Sequence, residues 1–441
     1  MAHSSHDPPQ KSDEEKRRSV KAAFASRFGF KKKSSLELNV PSKYFRFDQY
    51  PEYQELKQKL DIGVKLRIRN PFFAVHEQVS TEKTVIEGKI CDNYACYNYL
   101  GMSGDPTVSQ AAKEAIDNYG TSASSSRIQA GGIPLHRELE MIIAEMIGVD
   151  DCHIFVAGFS TNVTTIGHLF GPKDLILYDA LSHKSVIQGC ILSGARRLPF
   201  PHSDWATLEE LLKAERTDYE RVLIVVEGVY GMDGDIPDLP GLIEIKKKYK
   251  TFLMIDEAHS MGTIGQRGCG IREYFNIDPH DVDIWMGTLS KSFASCGGYI
   301  AGDPALIEYL KYTVPGSVYS VGLSPPDTAS ALAAIRLMLA EPERVDTLHK
   351  NAHLFLDLAK AKGLDTGLSH DTPVIPIIVR SSLQTVRMAQ ALFEQNIIAQ
   401  PVLPPGVEEK ATRLRFFVTS LHTEDQISRT IDRIADIFHK I

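Results

Sequence analysis

The sequence lacks a long hydrophobic run, a surplus of positive charge and a signal-like start. No stretch of about 18 or more consecutive apolar residues occurs, so we expect no membrane-spanning helix. Lys and Arg number 49 against 56 Asp and Glu, and the net charge of -7 argues against a nucleic-acid-binding protein. The opening residues, MAHSSHDPPQKSDEEKRRS, contain no apolar core of the secretory kind.

Cysteine is scarce, and no two cysteines are spaced as a C-x-x-C pair. The six residues are scattered at positions 91, 96, 152, 190, 269 and 296. This spacing predicts neither a metal site nor a redox pair, and reduced, packed thiols in a cytoplasmic protein are expected. Cys296 follows Lys291 closely but has no basic residue beside it, so we interpret it as a packing residue.

The phosphate-binding loop G-x-x-x-x-G-K-[ST] is also missing. The string DEAH at 256–259 is the label of a helicase ATPase motif, but without that loop a nucleotide-driven motor is not supported. The glycines of 262-GTIGQRGCG-270 follow the acidic residue instead of opening a helix after a first strand. A dinucleotide site is therefore not indicated.

Apolar runs that alternate with helical stretches are the main feature present. Such runs indicate a parallel sheet buried on both faces, and hence an α/β fold. The predicted strands of this sheet are 152-CHIFVAG-158, 174-DLILYD-179, 222-VLIVVEG-228, 251-TFLMIDEAH-259 and 282-VDIWMG-287. After Ser-Pro-Pro near residue 325, a helix and then a smaller unit are predicted, with strands 374-VIPIIV-379 and 413-RLRFFVT-419.

The length implies more than one packed unit. The predicted divisions are a flexible charged tail over 1–36, an N-terminal segment over 37–95 with a helical region and a hairpin at 85–90, a large domain over 96–325 and a small C-terminal α+β domain over 326–441. The basic cluster Lys31-Lys32-Lys33 could contact an anionic membrane or a partner, but a solvated tail is the expected role.

Polar residues collect where the predicted strands end, which is where ligands bind in parallel sheets. Glu227, Asp256, His259 and Thr288 all lie at or just past such ends. Lys291 stands in 287-GTLSKSFASCGG-298, among residues mostly too small to cover it. An aspartate facing a pyridinium nitrogen and a lysine that forms a Schiff base are the groups that pyridoxal 5′-phosphate (PLP) needs. The sequence therefore predicts a PLP site.

Further residues suit the same cofactor. The segment Gly158-Phe159-Ser160-Thr161-Asn162 lies after a strand and before a helical stretch, where backbone N–H groups favour an anion. Thr288 and Ser290 could add hydroxyl donors to the phosphate. His183 offers a flat ring that could stack on the cofactor.

In the order of its motifs the sequence resembles the α-oxoamine synthase family of fold-type-I PLP enzymes. The matching blocks are 98-NYLGMSGDPTV-108, 119-YGTSASSSRIQAG-131, 135-LHRELE-140, 157-AGFSTN-162, 182-SHKSVIQG-189, 227-EGVYGMDGD-235, 256-DEAHSMGTIGQRGCG-270, 287-GTLSKSFASCGGYIAG-302 and 413-RLRFFVTSLHT-423. The resemblance implies a large domain with a mostly parallel sheet plus a smaller α+β domain. It also implies a decarboxylating condensation of a small amino acid with an acyl thioester, giving an α-amino ketone.

The resemblance assigns four residues to the chemistry. Lys291 matches the Schiff-base lysine, whose freed amine is the natural base for the Cα proton. Asp256 matches the partner of the pyridine nitrogen. His183 matches the stacking histidine, and His259 matches the histidine bonded to the phenolic oxygen of the cofactor.

It also assigns binding residues. Thr288, with the backbone of Gly158 and Phe159, matches the phosphate contacts, and Ser320 in 317-SVYSVG-322 matches a block that reaches the cofactor phosphate of a neighbouring subunit. A homodimer is therefore implied.

The substrate side of the site is assigned in the same way. Arg415 matches the arginine that grips the amino-acid carboxylate, and Asn98 matches an asparagine near the same substrate. His422 stands in the family's terminal H-T block, where no catalytic role is assigned.

Two positions depart from the family pattern. Gly231 stands where a serine is usual, so His259 is expected to bond the phenolic oxygen alone. Lys184 stands where a small residue is usual after the stacking histidine. We interpret it as a surface lysine, with contact to an anionic thioester carrier as the alternative.

The substrate is indicated by one residue. Tyr97, placed before the asparagine, is similar to the serine palmitoyltransferase pattern and favours L-serine with a long acyl chain. The alternatives are a glycine- or alanine-using synthase, including types linked to a carrier protein, and another fold-type-I enzyme such as an aminotransferase or aldolase. The acyl donor is an acyl-CoA or an acyl-carrier-protein thioester, and peripheral membrane contact is an open alternative to a purely cytoplasmic location.

Overall fold

The computed structural model describes residues 13–27 and 39–440, and it divides the chain into two compact units, Met1–Arg67 and Ile68–Ile441. The division at 67/68 falls inside the N-terminal segment predicted over 37–95, and the predicted domain boundaries stay predictions.

The described residues of the first unit form two α-helices, α1 (Asp13–Arg27) and α2 (Pro51–Lys65). Proline at the first position of α2 suits a helix start because its missing N–H would have no partner there. No residue of α2 is buried. Of the tail predicted over 1–36, residues 1–12 and 28–36 lie outside the described residues, and its flexibility stays a prediction.

A seven-stranded sheet forms the centre of the second unit, in the order β3-β9-β8-β7-β6-β4-β5. Its strands are β3 (Asp151–Phe155), β4 (Leu175–Asp179), β5 (Arg196–Phe200), β6 (Val222–Glu227), β7 (Phe252–Asp256), β8 (Ile284–Thr288) and β9 (Gly298–Gly302). Six strands run parallel, and β9 is antiparallel to both of its neighbours. The α/β fold with a mostly parallel sheet is thus confirmed.

Helices cover the sheet because its central strands are apolar on both faces; β4, β6 and β9 are buried along their whole length. The helices between residues 106 and 318 are α3 (Pro106–Tyr119), α4 (Pro134–Ile147), α5 (Gly158–Leu169), α6 (Lys184–Ser193), α7 (Trp205–Glu215), α8 (Leu239–Tyr249), α9 (Gly270–Phe275), α10 (Pro304–Thr313) and α11 (Pro315–Val318). Strand–helix alternation places the carboxyl ends of all six parallel strands at one edge.

Two smaller sheets complete the second unit. The predicted hairpin forms from β1 (Lys83–Ile86) and β2 (Lys89–Asn93), joined by β11 (Ile397–Ile398). The other sheet pairs β10 (Val374–Ile378), β13 (Arg413–Phe417) and β12 (Gln400–Val402) in antiparallel fashion. The remaining helices are α12 (Pro325–Ala340), α13 (Glu343–Ala361), α14 (Ser382–Glu394) and α15 (Glu424–Phe438).

The core of the large sheet includes residues beyond the boundary predicted at 325/326. Buried side chains of α12, among them Leu332, Ile335 and Met338, belong to the same apolar cluster as Ile224 and Trp285 of the central strands. A second cluster lies around the antiparallel sheet and α15. Within residues 13–27 and 39–440, no helix combines the length and the apolar content needed to cross a bilayer.

A half-buried histidine ties two loops together at the carboxyl edge of the sheet. His202 places Nδ1 at 3.0 Å from Asp179 Oδ1 and Nε2 at 3.0 Å from Asp235 Oδ2. Burial lowers the pKa of His202, but the hydrogen bonds and charges of the two carboxylates outweigh it and raise the pKa to about 10. The imidazolium therefore joins the end of β4 to the loop after β6.

Replacing His202 with Gln should destabilise the protein in a pH-dependent way. A raised folded-state pKa adds stability that is complete below the ordinary histidine value of 6.5 and fades as the pH rises toward about 10. We expect the variant to lose on the order of 3 kcal/mol of unfolding free energy at low pH, because two buried carboxylates lose their cation. Urea unfolding of both proteins from pH 6 to 10 measures this difference. A difference that stays constant with pH would contradict the assignment.

Candidate active site

Two carboxylates end adjacent parallel strands and face one lysine. Glu227 ends β6, Asp256 ends β7, and the two residues are register partners. Lys291 follows in the loop after β8. Both carboxyl residues are buried, with 6% and 3% of their surface exposed, whereas Lys291 is half-buried. The structure thus brings together the aspartate and the lysine predicted from the sequence.

The ammonium group of Lys291 lies in an environment that favours its neutral form. Burial lowers the pKa of Lys291 to about 8, against the charges of Asp256 and Glu227, which raise it. Burial also raises the pKa of Glu227 to about 8, and the charge of Asp256 adds to the effect. A lysine with such a pKa can act as a nucleophile or a base near neutral pH.

Asp256 is held by two donors. Asn162 Nδ2, in the second turn of α5, donates to Asp256 Oδ2 at 2.7 Å, and the Ala258 N–H donates to Oδ1 at 3.0 Å. These two hydrogen bonds fix the position of the Asp256 carboxylate at the end of β7.

The same asparagine orients His183. Asn162 Nδ2 also donates to Ser185 Oγ at 2.9 Å, so the Ser185 hydroxyl is left to donate to His183 Nδ1, 2.7 Å away. The Ser185 N–H points to the same ring nitrogen at 3.3 Å. Burial lowers the pKa of His183. The ring is thus neutral with its proton on Nε2, and it remains partly open to solvent as a stacking surface would be.

His259 is held between aromatic side chains. Its Nδ1 lies 2.9 Å from the Tyr99 hydroxyl, and its ring lies parallel to Phe417 at 6.2 Å between centroids. Burial lowers the pKa of His259 well below its usual value, and the charge of Lys291 lowers it further. The histidine is therefore neutral and can act as a hydrogen-bonding group without adding charge to the site.

Gly231 gives this histidine its space. A Cβ atom at Gly231 would lie 2.3 Å from His259 Nε2, so a larger residue would displace the ring. The serine usual in the family would need a different position of His259. The position of the His259 ring therefore depends on the absence of a side chain at residue 231.

The start of α5 approaches the ends of β8 and β9 closely. A Cβ atom at Gly158 would lie 2.7 Å from Thr288 Oγ1, and one at Gly298 would lie 2.8 Å from the Gly158 Cα. The first N–H groups of a helix have no intrahelical partner and attract anions. The exposed Phe159 ring meets His183 edge-on at 6.3 Å. Gly158, Phe159 and Thr288 thus lie together as predicted for a phosphate cradle.

Arg415 reaches the site from β13. Its Nη1 donates to the Gly231 carbonyl at 2.6 Å, and its Nη2 lies 3.5 Å from the Tyr97 hydroxyl. The buried Nε has no hydrogen-bond partner among the described residues. A buried unpaired guanidinium N–H is costly, so this atom is suited to an anionic ligand. Tyr97 also faces the lysine, with its ring centroid 5.5 Å from Lys291 Nζ.

Asn98 and Ser320 are not brought to this group by any hydrogen bond of the described residues. Asn98 uses its side chain locally, donating to the Ser80 and Ser103 carbonyls and accepting from the Ser103 N–H. Ser320 lies on a separate, partly exposed segment. Their substrate and phosphate roles stay predictions.

The sequence analysis missed the supporting contacts of three residues: Asn162, Ser185 and Tyr99. Asn162 lies one helical turn after Gly158, which puts it on the sheet side of α5. Ser185 lies two residues after His183, in the first turn of α6. Those spacings are signals that could have been used, whereas the contact of Tyr99 with His259 joins residues 160 apart in sequence.

The residues present fit PLP. A fixed carboxylate, a lysine of lowered pKa, an open histidine ring and a helix start pressed against Thr288 are the groups the cofactor needs, and the unpaired Arg415 Nε suits a substrate carboxylate. With the parallel sheet, this arrangement defines a fold-type-I PLP-dependent enzyme.

Comparisons with known proteins narrow the class. Residues 92–434 match the family model of class I and II aminotransferases. The chain is 36% identical to 8-amino-7-oxononanoate synthase of Petrotoga mobilis over 385 residues, which are 87% of this chain and 96% of that relative. It is 34% identical to serine palmitoyltransferase of Sphingobacterium spiritivorum over 367 residues, 83% of this chain and 91% of the relative.

Solved structures agree with these matches. A serine palmitoyltransferase structure from S. paucimobilis, which carries a PLP–myriocin adduct, superposes with a TM-score of 0.85 at 28% identity, covering 88% of this chain and 98% of that one. The 8-amino-7-oxononanoate synthase of Francisella tularensis gives 0.69 at 26% identity, covering 78% and 96%. The chain belongs to the α-oxoamine synthases, within the class I and II aminotransferase family, and it is a PLP-dependent acyltransferase.

Replacing Lys291 with Ala should abolish the visible absorbance band of the lysine–PLP imine, and it should reduce turnover on the order of 1,000-fold or more, because the site loses both its attachment point and its base. The folded state should persist, since no hydrogen bond of the described residues depends on the Lys291 ammonium. The matched control is Lys184→Ala, which removes an exposed lysine next to His183. Spectra after PLP addition measure the effect. Retained absorbance in Lys291→Ala, or its loss in Lys184→Ala, would contradict the assignment.

Proposed function

We propose that this chain condenses a small α-amino acid, with L-serine favoured, and an acyl thioester. The amino acid loses CO₂, a bond forms between its Cα and the acyl carbon, and the thioester C–S bond breaks to release the thiol and an α-amino ketone. The observation that carries the proposal is the position of Arg415, whose unpaired Nε lies in the same site as Lys291.

The residues divide the work as follows. When bound, PLP supplies an electron sink for negative charge at Cα. Asp256 holds the proton on the pyridine nitrogen, and the His183 ring covers one face of the cofactor. Lys291 Nζ accepts the Cα proton, which its lowered pKa permits near neutral pH.

Different residues are proposed to bind the amino-acid substrate and the cofactor phosphate. Arg415 would grip the amino-acid carboxylate beside Tyr97. Gly158, Phe159 and Thr288 would hold the phosphate at the start of α5. His259 Nε2, next to Gly231, bonds the phenolic oxygen alone.

A homodimer is the proposed assembly, with Ser320 reaching the cofactor phosphate of the neighbouring subunit. The support is the resemblance, together with the exposure of the flanking Tyr319 and Val321, which are 86% and 46% exposed. The segment is well anchored, because Ser317 Oγ lies 2.7 Å from His153 Nε2 and the Gly322 N–H donates to Ser125. Light scattering of the purified protein tests this assembly, and a monomer would contradict it.

The second candidate is a glycine- or alanine-using synthase. It is favoured by the relatives named 8-amino-7-oxononanoate synthase, which are 35% to 37% identical to this chain. The acyl donor is proposed as an acyl-CoA or a carrier-protein thioester, and a cytoplasmic location is proposed on the basis of six unpaired cysteines.

A spectral titration decides between these amino acids. The PLP-loaded protein is titrated separately with L-serine, L-alanine and glycine, and the change in the visible band gives a dissociation constant for each. Tightest binding of L-serine supports the favoured substrate, and tightest binding of L-alanine or glycine supports the second candidate. No response to any of the three would contradict both.

Replacing Arg415 with Lys should raise the KM for the amino acid on the order of 10- to 100-fold, because lysine cannot make the two-pronged contact of a guanidinium. The KM for the acyl thioester should change little. The control is Arg221→Lys, which alters an arginine paired with Asp174 at the opposite edge of the sheet. Steady-state kinetics with each substrate varied in turn measure the KM for the amino acid and the KM for the acyl thioester. Equal effects of the two variants on the amino acid would show that Arg415 is not its ligand.

A further inference from the structure

Glu227 contacts both loops that carry the site, although its acid–base chemistry is not used by the proposed reaction. Its Oε1 accepts a hydrogen bond from the His183 N–H at 2.6 Å, and its Oε2 accepts one from the Gly231 N–H at 3.3 Å. The carboxyl group is buried, so these contacts are not in competition with solvent. One side chain therefore links the loop after β4 to the loop after β6.

Each of these amides belongs to a residue that acts on a bound molecule. His183 carries the ring proposed to cover the cofactor. Gly231 presents its carbonyl to Arg415 Nη1 at 2.6 Å, and the buried Arg415 Nε has no hydrogen-bond partner among the described residues. A continuous series of hydrogen bonds thus runs from the His183 backbone through Glu227 and Gly231 to Arg415.

A second link between the same two loops runs through His202 and does not involve Glu227. His202 joins Asp179 to Asp235, one residue at the end of β4 and the other past the Gly231 turn. His202 thus supplies a link between the two loops that does not depend on Glu227. The two bonds of Glu227 act on the particular residues that meet the ligands.

We propose that Glu227 is a positioning residue for amino-acid recognition: by accepting from the His183 and Gly231 amides, it sets the place of Arg415 relative to the cofactor face. This inference rests on the proposed function. It predicts that disturbing Glu227 weakens amino-acid binding while leaving the acyl-thioester side of the site intact.

The test is Glu227→Gln. The variant keeps the side-chain volume, but its amide has one acceptor oxygen and one donor NH₂ group for two backbone N–H donors, so one donor is left without a partner. We expect the dissociation constant for the amino acid, from spectral titration of the PLP-loaded protein, to rise on the order of 10-fold. The KM for the acyl thioester should stay within about twofold, as expected if that substrate makes no use of this link.

Glu257→Gln is the matched control. Glu257 is another buried glutamate, next along the chain from Asp256, and it bonds to Ser260 Oγ and to the Ile271 N–H instead of to the site loops. This control should lower the unfolding temperature without changing the dissociation constant for the amino acid. If Glu227→Gln fails to fold, Glu227→Asp replaces it, because its shorter side chain cannot reach both amides.

The results of these titrations distinguish failure of the proposed function from failure of the proposed role of Glu227. A wild-type protein that responds to no amino acid refutes the proposed function and this inference with it. A responsive wild type with unchanged affinity in the Glu227 variant refutes the inference alone. An equal loss in Glu257→Gln also overturns it, because the effect would then follow from any buried glutamate of this region.

Discussion

The site depends on the balance of charge between Lys291 and the two carboxyl groups that end β6 and β7. Parallel strands bring Glu227 and Asp256 side by side at a buried edge, where two carboxylates repel each other and desolvation penalises both. Burial, with the charge of Asp256 added, raises the pKa of Glu227. Burial of Lys291 lowers its own pKa, and the two carboxyl groups oppose that change. Hydrogen bonds from Asn162 and the Ala258 N–H fix the position of the Asp256 carboxylate.

The residues around this group avoid adding charge. His183 and His259 are both held neutral by burial, and each has one ring nitrogen committed to a hydroxyl. Their rings can therefore stack or hydrogen-bond without competing with Lys291 for the carboxylates. Glycines at 158 and 231 complete the arrangement, because a side chain at either position would displace Thr288 or His259.

The sequence predicted the functional side chains better than it predicted the residues that hydrogen-bond to them. Apolar runs such as VLIVVE and LMID mark buried strands, and in a parallel sheet their last residues must meet at one edge, so Glu227 and Asp256 were found from the pattern alone. Strand β5 was missed because Arg196-Arg197 at a sheet edge carries no apolar signal. Strand β9 was also missed, because its short sequence GYIAG begins and ends with glycine.

Contacts between distant segments could not be found in this way. Asn98 has the right identity for a substrate residue, yet its amide is already used by the Ser80 and Ser103 carbonyls. The link from His183 through Glu227 to Gly231 depends on the distance between two loops, which tertiary packing sets. Residue propensity and spacing describe one segment at a time, so they do not predict the distance between two loops.

The central claim is a condensation that couples loss of the amino-acid carboxylate to transfer of the acyl group at the Lys291 site. The most direct measurement supplies L-serine labelled at its carboxyl carbon together with an acyl thioester, and counts labelled CO₂, free thiol and amino ketone. The account predicts all three in equal amounts, with CO₂ release dependent on the thioester. Thiol released without CO₂, or CO₂ released without the thioester, would contradict it.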